Sequence, residues 1–167
     1  YIDVSLSAEF RKGARVFAPE GFYDGDGIYK VRFMADEEGV WKYRTKSNKK
    51  ELSGVAGEFL CTKARAGNHG PVSVRNGYHF GYADGEAYWP VGTTCYGWAF
   101  KTAAKKKQTI ASLKKSPFNK MHMIVLPFAG SLTKLFPFPG TCKGDWDFSR
   151  FDPKFFHNYE RCMRKLL

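Results

Sequence analysis

"SPFNKMHMIVLPF", residues 116–128, reads as a turn that runs into an apolar strand, with one imidazole, His122, among methionines and aliphatics. Ser116-Pro117 ends whatever precedes it, because proline pushes the residue before it out of the helical region. From Lys120 onward the run is apolar on both faces, the pattern of a strand covered on both sides in a parallel sheet. His122 is then either a core histidine with a satisfied partner or a residue that faces a site. The neighbouring elements decide what kind of sheet this strand belongs to.

Upstream, "VGTTCYGW" (91–98) reads as a short buried strand. Thr102 can N-cap a helix through about Lys115, with Ile110 and Leu113 inward and the lysines outward. Downstream, a loop rich in Phe, Pro and Gly occupies 128–151. Asp152-Pro153 then gives a helix start, a capping carboxylate followed by proline at the first helical position. In "KFFHNYERCMRKLL", Phe155, Phe156, Tyr159, Cys162, Met163 and Leu166 keep helical spacing. Strand, helix, strand, helix is parallel α/β architecture. Two strands and two helices cannot close a barrel, so residues 93–167 are expected to form an incomplete α/β segment.

The first third has a different grammar. In "YIDVSLSAEF", Ile2, Val4, Leu6, Ala8 and Phe10 alternate with Asp3, Ser5, Ser7 and Glu9, the signature of a half-buried antiparallel strand. "ARVFA", "GIYKVRFM", "GVWKYRTKS" and "GEFLCTKA" follow, separated by the turn clusters "YDGDG", "DEEG" and "SNKKELSG". Five or six short strands without a helical pattern point to an immunoglobulin-like β-sandwich over 1–66. Residues 67–92 are a linker and a hairpin-like lead-in, with Asn76-Gly77 and Asp84-Gly85 as turn dipeptides. "DGDG" at 24–27 places alternate carboxylates at a glycine turn but lacks the rest of a calcium loop, so it reads as a turn.

Composition narrows the function. The 167 residues are 43% hydrophobic and 17% aromatic, ample material for a core. No run of about 18 apolar residues could span a bilayer. The chain opens on Tyr1 with no basic-then-apolar leader, which suggests a trimmed or excised piece and, as an expectation, a cytoplasmic protein. A removed secretory signal would place it outside instead. Cys61, Cys95, Cys142 and Cys162 are widely spaced with no C-x-x-C pair, so free thiols and no metal or other cofactor are expected. The formal charge of +11 is uneven: residues 1–70 hold 12 Lys/Arg against 10 Asp/Glu, residues 71–167 hold 15 against 6. Residues 101–120 carry seven lysines and no acid. That excess could meet an anionic surface, but no nucleic-acid-binding module accompanies it, and a solvated helix face is the simpler explanation.

With these residues in view, the chain resembles a family of bacterial glycoside hydrolases in which an immunoglobulin-like domain precedes an apiosidase-like (β/α)8 barrel. The stretches that carry the resemblance are "GFYDGDGIYKVRFMADEEGVWKYRTKSN", "GEFLC", "GNHGPV", "YADGEAYWPVGTTCYGW", "SPFNKMHM" and "WDFSRFDPKFF", in the family's order. The resemblance implies a TIM-type barrel of which this chain holds only the first two βα units. It also implies paired carboxylates acting on a glycosidic bond of plant-type or related polysaccharide. In such barrels the pair sits at the ends of the fourth and seventh strands, so no catalytic residue can be named here and the chain alone is expected to be inactive. Related barrels carry an arginine where His122 stands, pairing with the catalytic carboxylate. Histidine lacks that bidentate fork and titrates near neutrality. The family also places a His-Gln pair where Phe100 and Lys101 stand.

Four residues are expected to bind substrate: Trp98, His122, Trp146 and Asp147. Trp146 beside Asp147 suits a sugar, whose apolar face packs on a ring while polar groups fix its orientation; equally, Trp146 could anchor its own loop. Asp152 is better explained as a helix cap. A rival reading makes the sandwich a non-catalytic carbohydrate- or protein-binding module with Tyr23, Trp41 or Tyr43 as contacts, although strand alternation puts most of them in the core. An apolar strand edge from Met121 to Phe128 with no third strand is expected to favour self-association.

Overall fold

The computed structural model describes residues 2–127, 134–140 and 144–166. It divides into two compact units, Tyr1–Gly70 and Pro71–Leu167. Small sheets dominate, and nearly all of their pairings are antiparallel.

In the first unit, β1 (Leu6–Lys12), β2 (Arg15–Phe17), β5 (Gly39–Ser47) and β6 (Ala56–Cys61) form a four-stranded antiparallel sheet ordered β2-β1-β5-β6. β3 (Gly21–Gly25) and β4 (Ile28–Val31) form a separate hairpin. The alternation of Leu6, Ala8 and Phe10 produces what it should, one buried face on β1. Ala8, Phe10 and Trp41 are the buried centre, and Val31, Phe33, Ala35, Tyr43 and Cys61 pack against them. Burying rings of this size drives the sheet together, at about 25 cal/mol per Å² of apolar surface.

Three expectations need correction here. The first strand begins at Leu6, not at the N-terminus, and Ile2 is 73% exposed. The cause is Asn48, whose amide donates to the Asp3 carbonyl at 2.8 Å while its oxygen accepts from Ser5 N–H at 2.9 Å. That clamp replaces the ladder. Second, part of the "YDGDG" turn cluster is strand: Gly21–Gly25 pairs with β4, and a bulge falls between Tyr23 and Gly25. The reversal itself is confined to Asp26 and Gly27, at φ +50° and +76°. Third, the run from Gly27 to Met34 leaves the ladder after Val31, yet Phe33 still reaches the core and stacks on Phe10 at 4.1 Å.

In the second unit, β7 (Val72–Arg75) and β8 (His79–Tyr82) form the hairpin expected at Asn76-Gly77, both of which have positive φ. β9 (Gly92–Thr94) and β10 (Lys120–His122) pair in parallel, with α1 (Ala103–Leu113) between them in sequence and α2 (Pro153–Met163) following. Thr102 Oγ1 accepts from Lys105 N–H at 3.3 Å, and an Asp152 carboxylate oxygen accepts from Lys154 N–H at 2.9 Å, so both helices start at their caps. Trp98, Ala99, Phe100, Phe155 and Cys162 form the core.

The strands themselves depart from expectation. β10 covers three residues, and only Met121 among them is partly buried. His122 is exposed, so it is not a histidine in a doubly covered strand. The described residues cover one face of the pair: Cys95, Met121 and Met123 pack on the helical core, while Thr94 and His122 point the other way. No barrel closes among the described residues, and each strand of the pair is hydrogen-bonded along one edge only. No described helix is long and apolar enough to cross a membrane.

Candidate functional site

The carboxyl ends of β9 and β10 lie side by side, as parallel pairing requires, with Thr94 opposite His122. The ladder runs on past both strands: Cys95 N–H donates to the His122 carbonyl at 2.9 Å, and Ile124 N–H donates to the Tyr96 carbonyl at 3.2 Å. At the entry end Asn119 fixes the register, its side chain accepting from Val91 N–H and donating to the Trp89 carbonyl, each at 2.9 Å. The His122 ring meets the Tyr96 ring edge to face, centroids 5.2 Å apart and planes at 83°. Tyr96 is 52% exposed. An open imidazole can donate or accept a hydrogen bond.

Trp98 sits elsewhere. After Gly97 the chain tightens into a 3₁₀ turn over Trp98–Phe100 that drives the indole into the core, where it is 3% exposed. Its N–H donates to the Lys106 carbonyl at 3.4 Å. The expected sugar-facing ring is therefore a packing residue, and no face of it is open in this chain.

Trp146 and Asp147 share a separate loop. Trp146 is partly buried against Phe136, centroids 5.1 Å apart, and lies over Gly140, where an added Cβ would come within 2.6 Å of the ring. The ring anchors its loop. Asp147 accepts from the Ser149 hydroxyl at 2.5 Å, from Ser149 N–H at 3.0 Å and from Arg150 Nε at 2.6 Å. The Ser149 hydroxyl first, then Arg150, holds its carboxyl below the usual aspartate range. A carboxylate so held stays ionised above that range, and the turn it organises loosens only as pH falls below it. Such a group is an acceptor or an electrostatic anchor, not a general acid.

Among the described residues no group of three or more His, Cys, Asp or Glu side chains could hold a metal ion. Cys61, Cys95 and Cys162 are free thiols. Cys142, and Phe128 at the end of the expected strand, lie outside the described residues. Sequence reasoning overlooked Tyr96, which stands two residues past Thr94 in the turn that follows β9.

Residues 1–48 match a domain of unknown function, DUF5060. No curated protein matches the chain. Among solved structures, the chain is similar to one described as "a putative glycoside hydrolase from Bacteroides vulgatus ATCC 8482", at 38% identity and a TM-score of 0.90. The similarity covers 98% of this chain, which spans 35% of the length of that structure.

Proposed function

We propose that this chain is the N-terminal portion of a glycoside hydrolase that acts on plant-type or related polysaccharide. Residues 1–66 form an immunoglobulin-like sandwich, 67–92 a linker and hairpin, and 93–167 the first two βα units of a (β/α)8 barrel. One observation carries this reading: the 38% identity and 0.90 TM-score to a structure described as a glycoside hydrolase, over almost the whole chain. The parallel β9–β10 pair, with α1 between its strands in sequence, supports the barrel part, because such a crossover is the repeating unit of that fold. His122 at the strand ends is the substrate contact within this portion, while Trp146 anchors the loop that follows and Asp147 holds its turn through Ser149 and Arg150.

Glycoside hydrolysis needs two carboxyl groups about 5–5.5 Å apart for retention or roughly 6.5–9.5 Å for inversion. In this reading they belong to later strands, and the 167 residues bind sugar without cleaving it. The rival module reading loses ground on burial: Trp41 is 0% exposed, and Tyr43 packs on the Phe10 ring at 5.8 Å. Purified chain incubated with xylan, arabinoxylan and soluble cellulose derivatives is expected to release no reducing sugar above a protein-free blank. Sustained release that tracks the purified chain would contradict the proposal.

A further inference from the structure

We infer that Tyr96, together with His122, forms a sugar-binding corner at the carboxyl end of the parallel pair, with the ring of Tyr96 taking the apolar face of a pyranoside. The inference rests on the glycoside-hydrolase reading and adds a residue to it.

Three observations meet here. The first is position: β9 ends at Thr94 and β10 at His122, and in parallel α/β folds ligands gather beyond the carboxyl ends of the strands. The second is parity. Cys95, Met121 and Met123 pack on the helical core, so Thr94 and His122 share the opposite strand face, and Tyr96, in the turn just after β9, is brought to it by its ring contact with His122; all three are exposed. The third is fixity. The hydrogen bonds from Cys95 N–H to the His122 carbonyl and from Ile124 N–H to the Tyr96 carbonyl hold both backbones, and the edge-to-face contact at 5.2 Å steadies both rings. A ring held in place before binding loses less entropy when a ligand arrives.

The chemistry suits a sugar. A tyrosine ring that is 52% exposed offers an apolar surface for the C–H face of a pyranoside. The phenol and the imidazole, on planes at 83°, bring donors and acceptors to the hydroxyls at that ring's edge.

The test uses the 167-residue chain with aromatic side chains labelled for NMR, titrated with xylobiose and with cellobiose. Saturable shifts at the Tyr96 and His122 rings are expected with at least one of them. Y96L keeps apolar bulk without a ring and should weaken binding about tenfold, equivalent to roughly 1.4 kcal/mol. Y96F keeps the ring and should bind close to the unmutated chain. Amide positions of Cys95, Met121 and Ile124 report whether each variant keeps the strand pair. Saturable binding that Y96L leaves unchanged overturns the Tyr96 assignment alone. No saturable shift with either sugar in the unmutated chain overturns the sugar-binding reading on which it rests.

Discussion

Replacing Trp41 with alanine is expected to unfold the first unit. Trp41 is fully buried, lies 5.1 Å from the Phe33 ring and 5.9 Å from Phe17, and donates its indole N–H to the Glu37 carbonyl at 2.9 Å. Removing a buried tryptophan typically costs about 3–5 kcal/mol in lost transfer energy and residual cavity. A core in a unit of this size seldom supplies more than about 3–5 kcal/mol in total. The loss therefore matches the whole margin. W41F should cost less, keeping most of the ring contacts while leaving the Glu37 carbonyl without its donor. Hydrogen exchange checks both variants. Amides of β1 and β5 should lose nearly all protection in W41A and part of it in W41F. Protection in W41A equal to that of the unmutated chain would show that the sheet does not depend on this ring.

Phe155→Ala should do to the second unit what W41A does to the first. Phe155 is 1% exposed on the inner face of α2 and packs against Phe100, Phe156 and Tyr159, with centroids 6.2, 5.1 and 6.3 Å away. Cys162, two turns later on the same helix, is its companion in the core. Truncation should cost about 3–5 kcal/mol and free α2 from the turn at Trp98–Phe100. The indole N–H resonance of Trp98, held in that core, reports it directly. F155A should move this resonance toward its solvent-exposed position, and F155L should move it less. A Trp98 signal unmoved in F155A would mean that α2 does not seal the core.

Much of this architecture is written in local pattern. β5 is the nine residues of "GVWKYRTKS", because a polar–apolar alternation between two turn clusters leaves little room for another outcome. Both helix starts follow from Thr102 and Asp152, since a capping oxygen and an N1 proline act through bonds a few residues long. What local pattern could not carry is coverage. "KMHMIVLPF" has the composition of a doubly buried strand, but burial depends on what lies against each face, and here one face of β10 meets the helical core while the other stays open.

The site shows the same division. His122 was legible as a strand residue that could face a site, while its place at the strand end, its exposure and its ring partner were not. Trp98 was misplaced because a single 3₁₀ turn after Gly97 redirects the side chain, and no propensity marks that turn. Asp147 could be located, but its carboxylate proved occupied by Ser149 and Arg150, neighbours whose role appears only once the turn is folded. Tyr96 stands one residue before Gly97 and two before the tryptophan that drew attention.

Among the described residues β10 has no neighbour on its outer edge, and there the proposal is most exposed. Between β10 and the helices lies a cavity of about 550 Å³ lined by Leu113, Met121, Met123 and Leu166, with Lys114 and Lys165 among its other residues. A strand edge without a neighbour invites another strand. Sedimentation velocity on the purified 167-residue chain over a wide concentration series examines this directly. If β9 and β10 open a larger parallel layer, the chain should associate as concentration rises, one copy covering the edge of another. A single monomeric species at every concentration would contradict that reading.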